Sequence, residues 1–427
     1  MTVPTQWWRA PTHAKPLDGT VSLPGSKSMT NRVLVLAALA SGPSTLQRPL
    51  HARDTDLMVG ALRALGTRID PVGRENRDWR VTPGHLSAPA SVDCGLAGTV
   101  MRFVPPLAAL ADGPVVFDGD LRARERPMAP MVASLRALGA AVDDDGRGAL
   151  PFTVHGHGSL NGGTVEMDAS SSSQFVSALL LAGARCTAGV DLRHRGKPVP
   201  SRPHIDMTVA QLRLRGVTVD DSEPDRWVVR PGSIDALDCV VEPDLSNSAP
   251  FLAAALVSRG RVRVRDWPAH TDQAGDALRH LLVTFGAEVH RDDRDLVVEG
   301  VGRVHGVSLD LHAVGELTPV VAALCALADT PSQLSGIGHL RGHETDRLTA
   351  IAAEIRRLGG QVDEQPDGLR IVPRPLRAAR WGTYGDHRMA HAGAVVALAV
   401  PGVEVEDVAT TAKTYPGFEQ AWEQLVT

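Results

Sequence analysis

A strongly apolar helix pattern, opened each time by a polar cluster, occurs six times in this 427-residue chain at nearly constant spacing. Only a fold built from repeated units accommodates such a chain. The copies are SKSMTNRVLVLAALA from Ser26, AGTVMRFVPPLAAL from Ala97, SSSSQFVSALLLAG from Ser170, LSNSAPFLAAAL from Leu245, GELTPVVAALCALA from Gly315 and DHRMAHAGAVVALA from Asp386. With Ser28, Gly98, Ser172, Ser246, Glu316 and Asp386 as markers, the copies stand 70, 74, 74, 70 and 70 residues apart. A second pattern runs out of phase with the first: LRALGTRID, LRALGAAVD, LRLRGVTVD, LVTFGAEVH and IRRLGGQVD, with glycines at 66, 139, 216, 286 and 359. It reads as an amphipathic helix ending at a glycine, followed by a short alternating strand. Each unit of about 71 residues therefore holds one buried helix, one covering helix and strands between them.

Six such units exceed what one core supports, and they divide into two domains of three near Glu242 to Leu245. A formal net charge of −5 and a pI near 6.3 argue against a general nucleic-acid or anionic-membrane surface, so any anion site is focused. Four scattered cysteines without CxxC spacing predict buried free thiols, with neither disulfides nor a zinc site. His155 and His157 form a glycine-flanked HGH pair in an expected loop and lack a third ligand. No apolar run reaches the length of a membrane span and none resembles a signal peptide, which points to a cytoplasmic enzyme.

The polar helix starts carry the chemistry. PGSKSMTNR (24–32) packs a turn, hydroxyl and amide side chains and two cations, Lys27 and Arg32, ahead of an apolar helix. Unpaired N–H groups and the helix dipole favour a phosphate or carboxylate there. The chain has four lysines among 44 basic residues, so a lysine in this cluster and another in TAKTYPGF (411–418) suggest a need for a compact ammonium. AGTVMR supplies Gly98, which lets a ligand approach the backbone, and Arg102; RARERP adds Arg122, Arg124 and Arg126. SSSSQF gives Ser172, Ser173 and Gln174, and PSRPHID gives Ser201 and Arg202. Glu316 in GELTP and Glu344 in RGHETDRL, beside His343 and Arg347, are candidates for proton transfer, while Thr345 and Asp346 read as capping. YGDHRMA adds Asp386, His387 and Arg388, and both tyrosines, Tyr384 and Tyr415, lie in these last two motifs.

PGSKSMTNR, AGTVMR, RERP, SSSSQF, SRPHID, GELTP, HETDR, DHRMA and AKTYP, in this order across the whole chain, resemble the EPSP synthase family of enolpyruvyl transferases. The resemblance implies a two-domain inside-out α/β barrel of six βαβαββ repeats, three per domain, with the active site in the interdomain cleft. Because ligand groups then come from both halves and mutually repelling cations hold an empty cleft open, the domains are expected to close on substrate. It places 1–23 with 244–427 in one domain and 24–243 in the other. It implies transfer of the enolpyruvyl group of phosphoenolpyruvate to the 5-hydroxyl of shikimate 3-phosphate, by addition and then elimination of phosphate. No cofactor or metal is implied, the chain is expected to be a monomer, and glyphosate sensitivity is expected at Gly98.

By motif match, Lys27, Ser28, Arg32, Ser172, Ser173, Gln174, Ser201, Glu316 and His343 hold shikimate 3-phosphate. Lys27, Gly98, Arg126, Gln174, Arg347, Arg388 and Lys413 hold phosphoenolpyruvate. Glu316 accepts the hydroxyl proton, and Glu344 with Lys27 handles protonation of the methylene carbon and its reversal. Four positions depart from the common family pattern: Glu316 replaces aspartate, His343 lysine, His204 tyrosine and Leu96 asparagine. Two rival readings are a UDP-N-acetylglucosamine enolpyruvyl transferase and a non-catalytic anion-binding homologue. The first usually carries a reactive cysteine in the loop that here reads GDLRARERPMA (119–129). Retention of Lys27, Glu316, Glu344, Arg388 and Lys413 together argues against the second.

Overall fold

The computed structural model describes residues 6–12 and 15–427. They divide into two compact units, Gly25–Glu242 and a split unit that joins the described residues up to Pro24 with Pro243–Thr427. Each unit has its own apolar core.

One sheet plan recurs. In the Gly25–Glu242 unit, Ala90–Asp93 lies parallel to Asp112–Asp118, which pairs antiparallel with Phe152–His157, and that strand pairs antiparallel with Ala141–Asp143. The first–second–fourth–third order returns in Gly163–Met167, Val190–His194, Arg226–Val229 and Val219–Asp220, and in the split unit in Ser308–Asp310, Ser332–Ser335, Gly368–Val372 and Gln361–Gln365. The first repeat of each unit borrows its opening strand from far along the chain. Cys239–Val240 lies parallel to Ser44–Gln47, and Asp18–Val21 lies parallel to Arg261–Val264. The sixth repeat ends in the helix Phe418–Val426 instead of a strand pair, and Trp7–Arg9 fills the vacant place by pairing with Glu404–Glu406.

Between the sheets run six inner helices: α1 (Lys27–Leu39), α2 (Gly98–Ala109), α3 (Ser173–Gly183), α4 (Ala249–Ser258), α5 (Thr318–Leu327) and α6 (His387–Ala399). They are apolar almost all round, which suits only the centre of a domain. Within each unit the three pack on one another and the sheets cover them, giving the helices-inside arrangement of an inside-out barrel. All five repeat glycines adopt left-handed backbone, with φ of 96°, 99°, 76°, 100° and 93°. A side chain is disfavoured in that conformation, so the glycine marks where each covering helix stops and the strand begins.

Three local expectations need correction. His155 and His157 belong to the strand Phe152–His157 rather than a loop, because the chain there completes a ladder with Asp112–Asp118. Cys94, Cys186 and Cys325 are buried free thiols, but Cys239 is only half-buried because its strand lies at a sheet edge. Helices α4 and α5 begin after 3₁₀ turns, Leu245–Ser248 and His312–Leu317, so Ser246 and Glu316 sit in the tighter lead-in rather than in the α-helix.

Candidate active site

In the Gly25–Glu242 unit the starts of α1, α2 and α3 are tied together by side chains. Ser26 caps α1 by accepting from Met29 N, and Ser172 caps α3 by accepting from Gln174 N. Asn31 Nδ2 donates to Thr99 Oγ1 at 2.8 Å, linking α1 to α2, and Arg102 Nη1 donates to Gln174 Oε1 at 3.3 Å, linking α2 to α3. Lys27 Nζ lies 3.2 Å from a carboxylate oxygen of buried Asp54. Gly98 stands where three predicted groups converge. A Cβ there would lie 2.7 Å from Arg102 Nη1, 3.0 Å from Gln174 Oε1 and 3.1 Å from Arg126 Nη2. The bare backbone thus opens onto two guanidiniums and an amide at a helix N-terminus, an arrangement that suits a compact anion.

The remaining residues of this unit are placed less directly. Arg32 is buried under Phe103 and donates to Ser28 O, His204 O and Thr208 Oγ1, each at 2.8 Å. With these bonds in place, Arg32 acts in this structure first as a tie between α1 and the turn at His204. Ser201 lies on that turn with φ of 54°, Ser28 is half-buried in the first turn of α1, and Ser173 is buried in the first turn of α3.

The split unit repeats the design with full charges. Lys413 Nζ donates to Glu344 Oε1 at 2.6 Å, and Arg347 Nη2 reaches Glu344 Oε2 at 3.3 Å. Arg347 also grips Asp386 through Nε at 2.8 Å and Nη2 at 3.2 Å, and its Nη1 lies 3.3 Å from His343 Nδ1. Asp386 caps α6 by accepting from Arg388 N at 2.8 Å. Arg388 Nη1 donates to Ser246 O at 3.1 Å, and Ser246 Oγ donates to Glu316 Oε1 at 2.9 Å. One continuous polar chain therefore runs Lys413, Glu344, Arg347, Asp386, Arg388, Ser246, Glu316, and it ties together the starts of α4, α5 and α6.

The electrostatics follow from this packing. Burial alone would lower the pKa of Arg347, but Asp386 and Glu344, with Glu316 behind them, outweigh it and raise it, so the guanidinium stays charged. His391, one turn along α6 from His387, is held well below the ordinary histidine range by burial and by Arg388 and Arg347. His339 is lowered to about 4 by burial, with His312 and Arg347 adding to the effect. The charge of the cluster is therefore carried by its two arginines, its lysine and the three carboxylates beside them, while His391 and His339 stay neutral.

Three groups that matter here were assigned other work, or none, from sequence. Asp54 carries no role in the sequence reading, yet it lies in the first turn of the covering helix Arg53–Ala64 and pairs with Lys27. Asp386 read only as a helix start, and Ser246 only as a repeat marker. Their carboxylate and hydroxyl become informative once the neighbouring helix starts are seen to meet.

The sequence profile of the EPSP synthase (3-phosphoshikimate 1-carboxyvinyltransferase) family matches residues 11–422. The chain belongs to the EPSP synthase family. A family member from Kocuria rhizophila, named 3-phosphoshikimate 1-carboxyvinyltransferase, is 56% identical over 428 residues, which cover 98% of this chain and 96% of that protein. Among solved structures, EPSP synthase from Acinetobacter baumannii superposes with a TM-score of 0.82 at 22% identity, covering 99% of this chain and 98% of its own. The enolpyruvyl transferase NikO from Streptomyces tendae superposes at 0.75 with 18% identity, covering 97% and 96%. At these identities the two structures show the shared fold. The EPSP synthase fold accounts for the six sheets, and the polar helix starts described above are what this chain builds on it.

Proposed function

We propose that this member of the EPSP synthase family transfers the carboxyvinyl group of phosphoenolpyruvate to the 5-hydroxyl of shikimate 3-phosphate, releasing inorganic phosphate. The observation that carries the reading is the polar chain from Lys413 to Glu316. It combines three cations, of which Lys413 is held by Glu344, Arg347 by Asp386 and Glu344, and Arg388 by the Ser246 carbonyl, with two glutamates whose oxygens face cations or hydroxyls. Arg347, Arg388 and Lys413 bind the carboxylate and phosphate of phosphoenolpyruvate, joined by Arg126, Gln174, Lys27 and the open backbone at Gly98. Ser28, Ser172, Ser173, Gln174, Ser201 and Lys27 take the phosphate and hydroxyls of shikimate 3-phosphate, with Glu316 and His343, and Arg32 holds the His204 turn in register.

Two proton movements frame the reaction. Glu316, held by the Ser246 hydroxyl, accepts the 5-hydroxyl proton as that oxygen adds to the enol carbon. The methylene carbon takes a proton from the Lys27–Glu344 machinery, giving a tetrahedral intermediate, and loses one as phosphate departs. The fixed cations stabilise the charge that builds on the leaving phosphate, and they need no reorganisation when it does so. Supplying phosphoenolpyruvate with either shikimate 3-phosphate or UDP-N-acetylglucosamine tests the acceptor. Turnover with the first alone supports the reading, and turnover with the second alone overturns it. Among the described residues no helix is long and apolar enough to cross a membrane.

A further inference from the structure

The covering helix Arg347–Arg357 holds the turn before α6 at two places. Its first residue, Arg347, grips Asp386. Two turns further on, Glu354 is fully buried and accepts from Tyr384 Oη at 2.5 Å, from Gly382 N at 3.0 Å and from Arg357 Nη1 at 3.0 Å. Thr383 N donates to Glu406 Oε2 at 3.0 Å, and Asp386 N closes the turn onto Thr383 O at 2.9 Å. Tyr384 itself sits at φ of 56°, in the left-handed region that a tyrosine rarely adopts. Such a conformation persists only where its surroundings impose it, and it concentrates at sites that need exact geometry.

We propose that Tyr384 and Glu354 are positioning residues that set Arg347, Asp386 and Arg388 for the anionic groups of phosphoenolpyruvate. The inference rests on the reading that these arginines hold that substrate. Because one rigid helix carries both grips, the Glu354–Tyr384 bond fixes where Arg347 stands along Asp386. The strained turn supplies the angle from which Asp386 addresses both Arg347 Nε and Arg388 N. Burial, and then the Glu354 carboxylate, raise the Tyr384 hydroxyl to about 12, so it remains a donor at any working pH.

Tyr384→Phe removes the one oxygen and keeps the ring. The expected result is a rise of about fivefold in KM for phosphoenolpyruvate, with KM for shikimate 3-phosphate unchanged and the thermal midpoint nearly so. Glu354→Gln gives the same selective shift. The double variant shifts less than the product of the two single effects, because both changes act through one bond. Tyr384→Gly, which relieves the backbone but also lacks the hydroxyl, does not restore the parent KM. Equal rises for both substrates, or a lowered thermal midpoint with both KM values unchanged, overturn the inference while leaving the proposed reaction standing. A parent enzyme that releases no phosphate from the two substrates overturns the reaction, and this inference with it.

Discussion

Arg347 and Asp386 meet through two hydrogen bonds, 2.8 and 3.2 Å long, with only 3% and 0% of their side chains exposed. A buried ion pair of this kind contributes little net stability, but removing one partner strands the other charge in a low-dielectric interior. Asp386→Ala should therefore destabilise the protein by ~3–5 kcal/mol in denaturant unfolding, counting the lost α6 cap as part of the effect. Activity should fall along with it. A variant as stable as the parent would mean that Arg347 finds another partner and that the pair does not organise the cluster.

Gly98→Ala tests the convergence of Arg102, Arg126 and Gln174. The first turn of a helix tolerates alanine, so the fold should be unaffected. The new methyl meets Arg102 Nη1 at 2.7 Å, and that guanidinium must move. KM for phosphoenolpyruvate should rise about tenfold, since small displacements of anion-binding groups are costly. Unchanged kinetics would place phosphoenolpyruvate elsewhere.

Lys27→Arg preserves charge and changes shape. A guanidinium cannot give up a proton near neutral pH and does not fit the compact place of the ammonium beside Asp54. The expectation is a loss of about 100-fold or more in kcat with little change in the thermal midpoint. Parental kcat in this variant would reduce Lys27 to a source of positive charge.

His391 makes a prediction about stability. Its ring is fully buried against Phe418, 4.6 Å away between centroids, and among the described residues neither ring nitrogen has a hydrogen-bond partner. Its folded pKa lies well below 6.5, so below that pH the unfolded chain binds one more proton than the folded one. The contribution is complete above pH 6.5 and is lost as pH falls, at about 1.4 kcal/mol per pH unit. Chemical denaturation at pH 7.5 and pH 5.5 should show the parent losing about 1 kcal/mol more than His391→Phe. Equal losses in the two proteins would mean that His391 takes up its proton in the folded state.

Much of this was legible in the sequence because the repeat is physical. A helix that is apolar all round must be central, and a glycine at its fixed place ends five covering helices, so six units and their buried helices followed from the spacing of the two patterns. The strand exchanges at Asp18–Val21 and Cys239–Val240 were not readable from those spacings, because strands of four and two residues carry too little periodicity and their partners lie about 240 and about 190 residues away. In the site, Lys27, Glu316, Glu344 and Arg388 were visible as unusual residues at helix starts. Asp54, Ser246 and the Glu354–Tyr384 bond were not, because an aspartate in a first turn and a glutamate mid-helix carry the same sequence signal whether they face solvent or hold a cation.

The central claim is a reaction, and phosphate release tests it most directly. Purified protein mixed with shikimate 3-phosphate and phosphoenolpyruvate should release one inorganic phosphate for each new carboxyvinyl ether detected by mass spectrometry, and neither substrate alone should yield any. Absence of phosphate with both substrates present, or its release from phosphoenolpyruvate without the ether product, would contradict the account.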